Sequence, residues 1–219
     1  KSGLQKTPQE AVAALKADGT FEATLDNPNA YAAAQQDSFG LSVASNGAYI
    51  VVGSLEGDAV STENGKVYVF TNTGTPLYTI NNPGLTAPQS GGDLFGSAVA
   101  CSQSYIVAGA QQDDLSVSIV DRGRAFIFDI TDGSLLFTLD NPNPATTAVT
   151  TNGDRFGSSV AISENYAAVA APREDATGLG DDTGWIYIFN TANGNLLHSI
   201  ENPNIDAEDE YPGDQLGER

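Results

Sequence analysis

Apolar and polar positions along this chain fall into short blocks rather than helical stripes. One kind of block sets an aromatic at every second position: Val67-Tyr68-Val69-Phe70, Ala125-Phe126-Ile127-Phe128 and Ile186-Tyr187-Ile188-Phe189. Another is a brief apolar run opened by tyrosine: Tyr49-Ile50-Val51-Val52-Gly53, Tyr105-Ile106-Val107-Ala108-Gly109 and Tyr166-Ala167-Ala168-Val169-Ala170. Gly, Asn and Asp bound these blocks, so they predict β-strands joined by tight turns. The β-branched and aromatic content suits a pleated, half-buried surface.

The blocks recur in a fixed order. Asp37-Ser38-Phe39-Gly40 returns as Asp93-Leu94-Phe95-Gly96 and Asp154-Arg155-Phe156-Gly157, with a weaker copy at Asp214-Gln215-Leu216-Gly217. The period is about 60 residues, which makes internal repetition the first fact about the fold. After each Phe-Gly pair comes a small-residue strand, then the tyrosine-led run, an acidic connection, the aromatic strand and a last strand ending in Asn82-Pro83, Asn141-Pro142 or Asn202-Pro203. Thr73-Gly74, Asp132-Gly133 and Asn193-Gly194 sit between the last two strands. Asp-Gly and Asn-Gly there predict two-residue hairpins with both turn residues at positive φ.

Each unit is therefore a four-stranded antiparallel meander. Its first strand is slim (Gly40, Ser42 and Ala44; Gly96, Ala98 and Ala100) and its third is bulky. Sheets that converge at one edge and diverge at the other need this gradient, and a radial stack of blades has that shape. The fold class read from the sequence is all-β, a β-propeller of four-stranded antiparallel blades with three full repeats and partial ones. Residues 37–83, 93–142 and 154–203 make the full blades, 19–30 an orphan outer strand and 214–219 the start of a further blade, all within a propeller region of 19–219. The ring is expected to be completed by further sequence or by other chains, with an open array as the other possibility. Residues 1–18 stand apart. Thr7-Pro8-Gln9-Glu10 has the form of a helix start, followed by the helix formers Ala11 to Lys16, so a short N-terminal helix is expected, as a cap or attachment element.

Charge narrows the possible roles. Lys+Arg total 9 against 28 Asp+Glu, a net charge of −19. Such a chain repels phosphate backbones and anionic headgroups, so neither a basic nucleic-acid groove nor an anionic membrane surface fits. No apolar stretch has the length of a membrane span. The single Cys101 rules out an internal disulfide framework, and the single His198 rules out a multi-histidine metal site. The chain contains no Met and opens on Lys1, which reads as an internal piece, a processed chain or the ordered part of something longer.

At these residues the sequence resembles FG-GAP repeats. The Phe-Gly pairs are Phe39-Gly40, Phe95-Gly96 and Phe156-Gly157, and the Gly-Ala-Pro-like segments are Val52-Gly53-Ser54, Ala108-Gly109-Ala110 and Ala170-Ala171-Pro172. The resemblance implies the β-propeller of integrin alpha-subunit heads and of bacterial and phage surface proteins. Integrin-type repeats carry an acidic calcium loop between the first and second strands. Here that connection is Asn46-Gly47-Ala48 or an equally short equivalent, so calcium is not carried over to that place.

Acidic residues gather instead between the second and third strands: Glu56, Asp58 and Glu63; Asp113, Asp114 and Asp121; Glu174, Asp175, Asp181 and Asp182. Solvated charge is one reading. Calcium is the other, since it takes 6 to 8 oxygens, with Asp113, Asp114, Asp175, Asp181 and Asp182 as candidate ligands. The recurring Asp of Asp-x-Phe-Gly reads as a turn cap for local backbone N–H groups. His198 shares its place with Tyr78 and Phe137, which marks it as structural; Cys101 reads as a buried, inert thiol and Trp185 as a packing residue. No paired-carboxylate motif, phosphate loop or nucleophile elbow is present, and no catalytic residue is assigned. The expected role is a non-enzymatic structural or adhesion module of a fibre, tail or cell-surface assembly. Its expected location is extracellular, on a cell surface or on a virion. Expected partners are copies of itself, other subunits, or a surface glycan or protein receptor. The alternatives are a carbohydrate-active enzyme on the same scaffold and a purely self-assembling module.

Overall fold

A computed structural model describes residues 12–15, 21–29, 37–55, 64–84, 92–114, 122–144, 153–174 and 183–203, the first of these spans and 21–22 by backbone alone. Three four-stranded antiparallel sheets follow one another along the chain, each in simple meander order. The first blade holds β3 (Ser42–Ser45), β4 (Tyr49–Ser54), β5 (Lys66–Thr71) and β6 (Pro76–Asn81). The second holds β7 (Phe95–Cys101), β8 (Tyr105–Ala110), β9 (Arg124–Asp129) and β10 (Leu135–Asp140). The third holds β11 (Ser159–Ile162), β12 (Tyr166–Ala171), β13 (Trp185–Asn190) and β14 (Leu196–Glu201). A two-stranded sheet, β1 (Val12–Leu15) with β2 (Phe21–Leu25), precedes them.

The helix expected over residues 1–18 is corrected here: Val12–Leu15 is a strand, antiparallel to β2, and the rest of that segment lies outside the described residues. The physical reason is strand pairing. A short Ala-rich helix is marginal alone, whereas the unpaired edge of β2 offers a row of backbone donors and acceptors. The strand at Phe21–Leu25 is thereby paired and no longer an orphan.

The turn between the third and fourth strands also differs from expectation. Only the glycines Gly74, Gly133 and Gly194 have positive φ there. Backbone bonds from Gly133 N to Asp129 O and from Asp129 N to Ser134 O close a longer loop, and the ladder shifts register beside it. The register shift marks a bulge beside the loop, whose extra residue strengthens the local twist.

Side chains of alternate parity face neighbouring blades, so every joint has its own core. Between the first and second blades, Val51, Val67, Val69 and Ile80 meet Phe95, Ile106, Ala108, Phe126 and Phe128. Between the second and third, Val107, Ala125, Ile127 and Leu139 meet Phe156, Ala167, Val169, Tyr187 and Phe189. On the outward face of the first blade, Leu25 of β2 joins Phe39, Ile50, Val52, Tyr68 and Phe70. The slim first strands converge as the size gradient predicted. β7 lies against β3 and β4 on one side, and β11 lies against β7 and β8 on the other. The turns after the first strands touch as well: Asn46 donates to Ser102 O, and Glu164 Oε1 accepts from Gln103 N at 2.7 Å.

Candidate functional site

The residues that recur at every repeat meet at the joints between blades. In each Asp-x-Phe-Gly segment the second residue has positive φ without being glycine: Ser38 at 43°, Leu94 at 54° and Arg155 at 54°. Such backbone costs about 1–3 kcal/mol and persists only where its surroundings over-determine it. Here they do. Phe95 N donates to Asn64 O and Phe156 N to Arg122 O, which ties the turn to the third strand of the blade before. The ring then drops edge-on between two aromatics of its own blade: Phe39 on Tyr68 and Phe70, Phe95 on Phe126 and Phe128, with centroids 5.7 to 6.2 Å apart. Edge-to-face pairs of this kind add to plain burial.

The glycine of the Gly-Ala-Pro-like segment has an equally concrete reason. A Cβ on Gly53 would stand 1.9 Å from Gly96 O, and one on Gly109 would stand 1.9 Å from Gly157 O. The second strand of one blade and the Phe-Gly turn of the next therefore approach too closely for any side chain. The third repeat departs from this, with Ala170 in that place.

The Asp of each motif is clamped by the Asn that ends the preceding outer strand. Asn27 donates to Asp37 at 3.3 Å, Asn82 to Asp93 at 2.7 Å and Asn141 to Asp154 at 2.9 Å. Each Asn also accepts from the backbone two residues on, at Asn29, Gly84 and Asn143. The reading of this Asp as a local turn cap is thus corrected: its carboxylate joins one repeat to the next. The proline after each Asn holds the chain in the extended form this bridge needs.

Beside two of these clamps lies a second buried acid, and its partner differs between them. Asp113 is fully buried and forms an ion pair with Arg124 at 2.6 Å. Arg124 also donates to Gly84 O and lies 5.6 Å from the centre of the Phe126 ring. In the next repeat Glu174 takes the same place, accepting from Tyr187 Oη and from Asn143 at 2.9 Å. Burial pushes Asp93 up to about 7, with the Asp113 charge adding to it and the Asn82 amide opposing. Burial likewise raises Glu174 to about 7, against the hydrogen bonds from Tyr187 and Asn143. Asp113 is also raised by burial, with Arg124 holding it back. Asp93 Oδ1 and Glu174 Oε2 are buried without a hydrogen-bond partner, which favours the protonated form.

Of the calcium candidates, Asp113 is committed to Arg124 and Asp114 is its half-buried neighbour. Asp175, Asp181 and Asp182 lie outside the described residues. Among the described residues no group of three or more His, Cys, Asp or Glu could hold a metal ion. Sequence reasoning missed that Asp113 and Glu174 turn inward. The available signal was their common position, three residues past the last residue of the second strand (Ala110, Ala171). His198 is exposed on β14, Cys101 packs against the first joint with its thiol raised by burial to about 11, and Trp185 stacks on Tyr187 at 6.1 Å.

A search of curated proteins gives no match. The family model described as FG-GAP repeat matches residues 29–70, 85–128 and 146–189. Each matched segment runs from the approach to a Phe-Gly turn through the aromatic third strand.

Proposed function

The chain belongs to the FG-GAP repeat family, and from that premise we propose that it is a non-enzymatic, extracellular or virion-surface module that serves adhesion or assembly. Binding runs through the connections between second and third strands. The observation that supports this is a division of labour along each repeat. Recurring polar residues are consumed inside the joints, as Asn82 with Asp93 and Asn141 with Asp154. The connections between second and third strands, residues 56–63, 115–121 and 175–182, differ in sequence from one repeat to the next. Variable loops on a rigid scaffold are where recognition concentrates. A net charge of −19 suits a partner with basic or neutral polar groups, such as a surface glycan or a basic protein face.

The second reading, a carbohydrate-active enzyme, needs an acid and a base flanking an accessible bond. The buried acids Asp93, Asp113 and Glu174 are tied to structural partners. The test is a glycan and cell-surface protein array followed by product analysis of every hit. Retention without cleavage is the expected result. Release of shortened saccharide would replace this reading with the enzymatic one.

A further inference from the structure

We infer that β6 is the edge along which two copies of this chain associate about a two-fold axis, with Leu77 of each seated in a groove beside β6 of the other. Such association needs no ligand on the loops, so it stands or falls apart from the adhesion reading. Leu77 is 46% exposed and lies in the register shift of its ladder, between the pair Phe70 with Pro76 and the pair Val69 with Tyr78. Beside it runs a groove of about 120 Å³, lined by Pro28, Phe70, Pro76, Tyr78 and Thr79 as well as Leu77. An apolar space of that size takes one small hydrophobic group. An exposed apolar side chain and an apolar groove on the same edge are self-complementary, which is what a two-fold contact requires. Among the described residues no strand pairs with the other side of β6.

Charge selects both the edge and the partner. Residues 67–92 carry no charged side chain, although 17% of the chain is charged. On the four strands of the first blade the one charge is Lys66, which pairs with Asn81 at the end of the ladder remote from Leu77. The equivalent edges differ. β10 ends in exposed Asp140 and follows a turn with exposed Asp132, and β14 ends in exposed Glu201. Leu136 and Leu197 stand where Leu77 does and are 38% and 40% exposed, so apolar surface alone does not single out β6. The missing carboxylates do. Charged side chains on an edge strand keep other chains from pairing with it, and β10 and β14 have them where β6 has none. A basic partner would gain more from the carboxylates of β10 and β14. A neutral edge favours a partner that those carboxylates repel, and a second copy with a net charge of −19 is such a partner.

Analytical ultracentrifugation of the full chain is expected to show a dimer that tightens as salt is added, because salt screens the repulsion between two chains of net charge −19. Leu77→Lys is expected to give a monomer with unchanged Trp185 fluorescence, and Leu136→Lys and Leu197→Lys to leave the dimer intact. Thr79→Lys repeats the first arm from a second exposed position on β6. In a Cys101→Ala background, Thr79→Cys is expected to be joined between two chains by a short thiol-to-thiol crosslinker, and Thr138→Cys, its equivalent on β10, to stay unjoined. A monomeric wild-type chain, a dimer lost as readily through Leu136→Lys as through Leu77→Lys, association that weakens with salt, or crosslinking through Thr138→Cys in place of Thr79→Cys overturns the inference.

Discussion

The side-chain amide of Asn82 reaches across the connection between two blades and donates to the carboxylate of Asp93 at 2.7 Å. The same amide's oxygen holds the backbone of Gly84, so one residue both shapes the link and anchors it. Asn82→Ala leaves a buried carboxylate without its donor and is expected to cost about 1–3 kcal/mol. Urea unfolding monitored at the single Trp185 reads this directly; a loss near zero would mean the clamp is incidental.

Close approach makes a sharper, paired expectation. Gly109→Ala forces a Cβ onto the Gly157 carbonyl, and overpacking of this kind costs about 1–3 kcal/mol. The reverse change at the equivalent site, Ala170→Gly, meets no such contact and is expected to cost about 1 kcal/mol or less, the backbone-entropy penalty of glycine alone. Thermal melts of the two variants side by side decide it. Equal losses would show that the glycine is not there for the neighbouring blade.

Arg124 is the counter-charge of a fully buried acid. Arg124→Gln strands the Asp113 carboxylate and is expected to cost about 3 kcal/mol. Adding Asp113→Asn removes the stranded charge, so the double variant is expected to recover most of that loss. A double variant no more stable than the single one would contradict the pairing.

Acidity should stabilise this protein. Asp93 is raised from 3.8 to about 7 and Glu174 from 4.5 to about 7. Between those values the folded state holds protons that the unfolded state has lost, so stability falls as pH rises through that window. Tm is expected to be several degrees higher at pH 5 than at pH 8. Asp93→Asn, which keeps a neutral group in place, should shrink that difference. A Tm that rises with pH over the same range would refute the assignment.

Much of this fold was legible because local and tertiary demands agree. The aromatics of Tyr68/Phe70, Phe126/Phe128 and Tyr187/Phe189 alternate at strand period, and they are the residues that fill the widening joints. Val12–Leu15 was misread because its Ala-rich composition and the capping pattern at Thr7 favour a helix, whereas pairing with the next strand along the chain, β2, decides its conformation. The Asp-x-Phe-Gly acid was located correctly but given a local role, since its partner Asn lies beyond a connection of variable length. Asp113 and Glu174 were grouped with solvated loop acids because nothing in a linear pattern says which way a side chain turns at the end of a strand.

The radial arrangement itself is tested most directly by two spin-label distances in a Cys101→Ala background. One pair sits on the inner turns of the first and third blades, Ala48→Cys with Asn165→Cys; the other sits on their outer turns, Thr73→Cys with Asn193→Cys. Sheets fanning from a common axis give an inner distance clearly shorter than the outer one. Equal distances would mean a straight stack of sheets, and the propeller would fall with them.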